Sequence, residues 1–320
     1  MACSPSVVSQ VVADGEGACL PGTVLHLDAV LLRRLSLLLS HLVVAVVALV
    51  AIGGATRVME AGLACPDWPL CYGGLLPGRQ MNLQVFLEWF HRLDAFVVGL
   101  ALLVLAGVGV WKRRVLPGWF SAAAVLALLL VVTQGALGAL TVTQLLAAPM
   151  VTAHLGTALL LVALLSAMQQ GVAPAAPGAS ALPIWWRVVG GAALLGVLCQ
   201  CLLGGTMASQ WAADRCLAAG EGCRWLALHR SAATPAALLA VLPALASLTL
   251  PAGHRLVRGL AFTSLLLVAG QVALGIATLR LQLAVPLVTV AHQIGAALLV
   301  ALLAASVAAD LQPRQELTHG

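Results

Sequence analysis

The sequence predicts an all-α polytopic membrane protein, with eight transmembrane helices forming two parallel-repeat four-helix bundles. Those bundles are expected to be related by a pseudo-two-fold axis along the membrane normal. Composition is the first reason: 62% of the 320 residues are hydrophobic, 8% are charged, and the mean hydropathy is +1.05. A soluble domain carries about 25% charged residues. Length is the second, because eight apolar runs reach the roughly 20 residues that a helix needs to cross hydrocarbon. The third is an internal duplication, described below.

The runs fall at 35–55, 86–110, 118–140, 148–170, 186–208, 226–250, 259–279 and 284–309. Lipid offers no partner for backbone N–H and C=O groups, so a spanning segment must be a helix or part of a closed barrel. These runs are too long for barrel strands. Residues 1–34 lack the basic start and long apolar core of a signal peptide and are expected to be an unordered cytoplasmic leader. The first half then runs over 35–170 with an outer loop at 56–85, a linker follows at 171–185, the second half covers 186–309, and 310–320 form a tail.

The net charge of +5 is mostly a topology signal. One side holds Arg33, Arg34, Lys112, Arg113, Arg114, Arg187, Arg255, Arg258 and Arg314, and the other holds Arg57, Arg79, Arg215, Arg224 and Arg280. The richer side, with both termini, is expected to face the cytoplasm, which in a bacterium makes this a multi-pass inner-membrane protein. No basic surface interleaved with aromatics is present for nucleic acid, so the partner implied at this level is membrane lipid.

The duplication is legible in two stretches. "VTQGALGALTVTQLLAAPMVTAH" (132–154) echoes "AGQVALGIATLRLQLAVPLVTVAH" (269–292), with one inserted residue before the final histidine. Likewise "HRLDA" (91–95) echoes "HRSAA" (229–233), and Gly53-Gly54 echoes Gly204-Gly205. Each half has an even number of spans, so both cross in the same sense. Many secondary transporters use inverted repeats instead, and a parallel-repeat bundle is compatible with a homo-oligomer.

His91, His154, His229 and His292 recur at matching places, each a few residues into a helix entered from the outer side. An ionisable group inside a span normally faces a bundle interior with a partner. Two imidazoles from facing helices of one bundle are a natural pair of axial heme ligands. Zinc would more often recruit Cys or carboxylate as well. All four lie near one depth, unlike the stacked hemes of a transmembrane electron wire. His41 has no repeat partner and reads as a packing residue.

The halves differ at Glu88. It lies three residues before His91, on the same helical face, and its counterpart is Leu226. A carboxylate there is a candidate proton carrier or stabiliser of developing positive charge, against a bland interfacial role. Asp94 reads as a partner of Arg92 or of a backbone group. Arg92 and Arg230 follow the two histidines and are candidate partners for heme propionates, or simply head-group charge.

The loop "GLACPDWPLCYGG" (62–74) faces the oxidising side, where a disulfide persists. Cys65 and Cys71 read either as a staple or as a thiol pair exchanging electrons, with Trp68 in a lid over the first half. Cys216 and Cys223 form a second candidate pair and read as a staple. Cys199 and Cys201 read as packing residues, and Cys3 and Cys19 as free thiols.

The stretch "GGATRVMEAGLACPDWPLCYG" (53–73), followed by "EWFHR" (88–92) and the later "VTAH" and "VTVAH", resembles the heme A synthase family over roughly residues 35–308. The resemblance implies oxidation of the C8 methyl of heme O to a formyl group, giving heme A for terminal oxidases. It implies that His229 and His292 ligate a heme b cofactor in the second half. His91 and His154 would flank the heme O substrate in the first half, beside an essential Glu88. It further implies a Cys65–Cys71 disulfide and a heme O synthase as upstream partner. Two other readings stay open: a di-heme b-type electron-transfer protein, and a heme transporter or chaperone.

Overall fold

The computed structural model describes residues 21–174, 180–209 and 224–312. Eight long helices account for most of them: α1 (Pro21–Val58), α2 (Leu83–Trp111), α3 (Phe120–Thr143), α4 (Ala148–Val172), α5 (Ile184–Ser209), α6 (Arg224–Ser247), α7 (Arg255–Arg280) and α8 (Pro286–Ala308). All eight contain a stretch long and apolar enough to span a membrane, which in α1 is Val30–Val58. No strand forms among the described residues apart from an isolated bridge between Cys71 and Gly74. The chain is a multi-pass, all-helical membrane protein.

Seven helices lie close to the predicted runs. The eighth, α1, reaches back to Pro21, inside the stretch 1–34 expected to be an unordered leader. Residues 21–34 hold no internal proline and mostly helix-compatible side chains, so the helix begins ahead of the predicted run. Residues 1–20 lie outside the described residues, as do Cys3, Cys19, Cys216 and Cys223.

Helices α1 to α4 each pack on their neighbours in the order α1–α2–α3–α4–α1, and α5 to α8 do the same. The quartets meet through α4 against α8, α1 against α8, and α4 against α5. Burial singles out α8, where 61% of the apolar window is inside the protein against 11–39% in the other helices. The largest apolar cluster joins Leu39 of α1, Leu102 of α2, Phe120 of α3, Leu165 of α4 and Leu303 of α8. Outward faces stay apolar as well: Phe96, Val97 and Leu100 of α2 are all more than half exposed, as a lipid-facing surface requires.

Lipid tails are as apolar as leucine, so helices in a membrane associate through close packing and interhelical hydrogen bonds. A β-carbon on Gly171 of α4 would come within 2.7 Å of the Trp119 ring, and one on Gly190 of α5 within 2.7 Å of Val307 Cγ2. At the termini end, Trp186 Nε1 donates to Ser306 O at 3.1 Å and the Leu182 N–H donates to Asp310 Oδ1 at 3.0 Å. Arg187 adds an ion pair with Asp310. These contacts tie the start of α5 to the end of α8.

The outer ends of α3 and α7 close alike. Leu145 and Leu146 both take positive φ, as do Gln282 and Leu283. The Leu146 N–H reaches back to Thr141 O at 2.7 Å and the Leu283 N–H to Thr278 O at 3.1 Å, as in a left-handed helix C-terminus. Each turn delivers the chain to a proline, Pro149 or Pro286, that opens the next helix at a position where the missing N–H costs nothing.

Candidate functional site

Each of the four hairpins α1–α2, α3–α4, α5–α6 and α7–α8 carries a histidine in the first turns of its returning helix. In each, a glycine on the outgoing helix faces that ring. A β-carbon on Gly53 would sit 3.3 Å from His91 Cε1, and one on Gly138 would sit 3.6 Å from His154 Cε1. The distances are 2.9 Å for Gly204 with His229 and 3.2 Å for Gly275 with His292. The glycines leave a notch that a larger residue would fill, and the imidazole lies in it.

Glutamines hold three of these returning helices from the same outgoing helix. Gln134 Nε2 donates to His154 O at 2.7 Å, Gln200 Nε2 to His229 O at 2.8 Å, and Gln271 Nε2 to His292 O at 2.7 Å. Gln200 Nε2 also lies 3.1 Å from His229 Nδ1. Each glutamine sits four residues before its glycine, one turn further along the same face. The fourth hairpin breaks the pattern, because the residue four before Gly53 is Leu49.

In the first half the rings of His91 and His154 face each other, with centroids 6.4 Å apart and planes inclined by 64°. In the second half His229 and His292 occupy the matching notches of the α5–α6 and α7–α8 hairpins. The Nδ1 atoms of His91, His154 and His292 are buried with no hydrogen-bond partner, so these rings are not the satisfied packing residues that a buried histidine usually is. Among the described residues no three of His, Cys, Asp and Glu gather into a metal-ion site. The donors come as pairs. That set suits a planar macrocycle which supplies four nitrogens of its own and needs only two axial ligands.

The outer loop between α1 and α2 is built onto the first turns of α2. Asn82 caps the helix, its Oδ1 accepting from the Val85 N–H at 3.0 Å. Glu88 is buried; its Oε2 accepts from the Cys65 N–H at 2.8 Å and its Oε1 pairs with Arg92 Nη2 at 2.5 Å. Arg92 also donates through Nη1 to Asp67 O and Leu70 O, both at 2.6 Å, and through Nη2 to Cys65 O at 3.5 Å. Trp89 Nε1 donates to Leu75 O at 2.6 Å. Within the loop, Asp67 accepts from the Tyr72 N–H at 2.6 Å and the Gly73 N–H at 2.8 Å. The Gly73 N–H, then the Tyr72 N–H and the Arg92 charge, hold the Asp67 carboxyl below the usual carboxylate range.

Cys65 and Cys71 form a disulfide, and both residues are fully buried against Val85 and Trp89. An attacking thiol has no approach to either sulfur.

Residues 36–304 match the COX15-CtaA family, whose members are described as cytochrome oxidase assembly proteins. The chain belongs to this family. A heme A synthase from Sphingopyxis alaskensis is 30% identical to it over 325 residues, covering 82% of this chain and 87% of that protein. One from Shewanella oneidensis is 31% identical over 203 residues, covering 58% of this chain and 60% of that protein. A protoheme IX farnesyltransferase from Haloarcula marismortui is 37% identical over 112 residues, or 35% of this chain. That match spans 23% of the farnesyltransferase, so against these last two relatives the chain covers less than two thirds of their length.

The family match takes in all four histidines, Glu88 and the disulfide. Several side chains have different neighbours from those the sequence suggested. Arg92 turns to Glu88 and the loop carbonyls, not to Asp94, because Glu88 is one turn back on its own face. Arg230, which follows His229 in the same way, is exposed and has no hydrogen bond or ion pair to any described residue. His41 lies on an exposed face with its Nδ1 bonded to Leu37 O at 2.7 Å, and Cys199 is an exposed free thiol, whereas Cys201 does pack against the apolar core as expected. Gln200 is the residue that sequence reasoning missed. Its signal was available in the Q-x-x-x-G spacing shared by Gln134, Gln200 and Gln271.

Proposed function

We propose that this protein is a heme A synthase: it oxidises the C8 methyl of heme O to a formyl group, with the substrate held in the first half and a heme b cofactor in the second. The observation that carries the reading is an asymmetry between two otherwise matching halves. Both offer a pair of inward histidines, and only the first has a buried carboxylate, Glu88, one turn from its histidine.

The residues suit the groups they would hold. His91 and His154 bring two imidazoles with unpartnered buried Nδ1 atoms together, their ring centres 6.4 Å apart, a donor pair that a heme iron would accept. His91 and His154 would clasp the substrate heme, while His229 and His292 would hold the heme b, whose iron supplies redox capacity when bound. Glu88 then contributes a fixed negative charge close to the substrate pair. Such a preorganised charge stabilises cationic character developing at the reacting carbon. Both of its oxygens are already engaged, by Cys65 N–H and Arg92. That favours electrostatic stabilisation over proton shuttling, since a proton carrier would first have to break those bonds. The buried disulfide and the Arg92 contacts hold the loop over this end of α2, which supports a staple-and-lid role for the loop.

The matching helix neighbours in the two quartets, and the repeated glycine–histidine notch, support a pseudo-two-fold axis along the membrane normal. The excess of Arg and Lys on the termini side supports cytoplasmic termini in a bacterial inner membrane. The similarity to a protoheme IX farnesyltransferase, an activity that adds a farnesyl group to heme, supports a heme O synthase as the upstream partner.

The test is chromatography of hemes extracted from membranes that contain this protein and a heme O synthase, in a host lacking heme A. A heme A peak that disappears with Glu88→Ala is the expected result. Unchanged heme O, with heme b still bound to the purified protein, would leave a di-heme electron carrier in its place.

A further inference from the structure

Four hairpins share one histidine-in-notch design, and one of them lacks its fastener. We infer that Leu49 makes His91 the releasable ligand of the first half, the side from which a heme enters and leaves. This rests on the heme-binding reading of the paired histidines and goes beyond it, because it assigns unequal roles to the two members of one pair.

The physical basis is local. A glutamine amide that donates to the main-chain carbonyl of a histidine ties the returning helix to the outgoing one at the level of the ligand. His154, His229 and His292 all have this tie, at 2.7 to 2.8 Å. At the matching position of the first hairpin, Leu49 is half-buried against the apolar core and has no group to donate. Among the described residues of α1, none donates a hydrogen bond to His91 O in its place. The same hairpin carries the disulfide loop, which holds α2 by Glu88, Trp89 and Arg92, on either side of His91. The first turns of α2 are thus restrained from the loop side, and His91 lacks the amide tie from the outgoing helix that the other three histidines have.

A cofactor that stays and a substrate that must be exchanged place opposite demands on their ligands. The second half has a glutamine on both of its histidines, as a resident group needs. The first half has one on His154 alone. One anchored ligand keeps the heme oriented, and one unanchored ligand lets it go. This is the arrangement an exchanging site requires.

The experiment measures heme release from the intact protein in lipid nanodiscs, loaded with heme b and mixed with excess apomyoglobin. Release should occur in two phases, with His91→Ala and His292→Ala assigning the faster one to the first half and the slower one to the second. Leu49→Gln should slow the fast phase roughly three- to fifteenfold, the range expected for one hydrogen bond between membrane helices, and leave the slow phase alone. Leu49→Met, similar in volume with no donor, should change neither. Gln134→Leu should speed the fast phase and Gln271→Leu the slow one by similar factors. The low-spin ferric spectrum of a bis-imidazole site should persist in Leu49→Gln, separating a tighter site from a broken one.

A fast phase that ignores both Leu49→Gln and Gln134→Leu would overturn the inference while leaving the heme sites intact. So would a faster first-half phase in Leu49→Gln. A protein that takes up no heme, or whose heme is indifferent to both His91→Ala and His292→Ala, would instead remove the functional reading on which the inference stands.

Discussion

The dipeptide His-Arg occurs at 91–92 and again at 229–230, on helices with matching neighbours, and the two arginines do different things. Arg92 is mostly buried and bonded to Glu88 and three loop carbonyls. Arg230 is exposed and touches none of the described residues through a hydrogen bond or ion pair. The helices cannot account for this, because the same two residues stand in the first turns of both. What differs is the partner one turn back, Glu88 against Leu226, and the loop that Glu88 and Arg92 jointly hold. A duplicated scaffold has been made unequal at its outer rim, and each half keeps its two histidines.

The comparison breaks most sharply at Glu88. Giving the first half the residue of the second, Glu88→Leu, should lower heme A formation about 100- to 1000-fold, the usual loss when one preorganised electrostatic group is removed. Heme b retained by His229 and His292 should be unchanged in the same preparation, as read by its extracted amount. Equal loss of both would mean that Glu88 supports the whole bundle and not one site.

Next in size is the contrast between the arginines. Arg92→Ala removes the partner of a buried carboxylate, a change that typically costs about 3–5 kcal/mol. It should lower the thermal unfolding temperature and open the loop at 62–74 to protease. Arg230→Ala is a surface change, expected within about 0.5 kcal/mol of the parent. Similar melting curves for the two variants would contradict the division of labour drawn above. The disulfide should matter less. A bond closing so short a ring is worth about 2 kcal/mol in the chain-entropy model. Cys65→Ser with Cys71→Ser should therefore reduce stability by about that amount while leaving measurable heme A synthesis. A redox role would abolish it.

Much of this molecule was legible before its structure. Apolar runs of spanning length mark helices wherever lipid forbids any other backbone, so all eight appear, seven of them near their predicted bounds. The repeated histidines and the Glu88–Leu226 difference are single-residue signals that survive without three-dimensional information. Two features were less accessible. The start of α1 is hard to read because no proline or glycine falls between Thr23 and Arg34 to separate a leader from a span. The destination of Arg92 is a matter of distance. Asp94 and Glu88 are both near it in sequence, and only the i,i+4 geometry and the carbonyls of a folded loop decide between them. The glutamine ties were present as spacing, and their meaning required seeing that the acceptor is a histidine carbonyl on the next helix.

The smallest expected effect concerns Asp67, and its sign can be worked out. Its carboxyl accepts from the Gly73 and Tyr72 N–H groups and is held below the usual range, first by Gly73 and then by Tyr72 and Arg92. The ionised form is therefore the one the folded loop prefers. Its contribution is fully present above the ordinary carboxylate value of about 4 and disappears as pH falls through the lower value of the folded state. Asp67→Asn keeps one acceptor oxygen where two N–H groups converge, so it should lose part of the loop's order at neutral pH. Hydrogen exchange at the Tyr72 and Gly73 amides measures this directly. Protection in the parent should fall on acidification below about pH 4, and protection in Asp67→Asn should be lower at neutral pH and nearly flat over the same range. Loss of protection at these two amides with no pH dependence in the parent would mean that the disulfide alone holds the loop. The first half would then owe its lid to Cys65 and Cys71, with Asp67 contributing nothing that an amide could not.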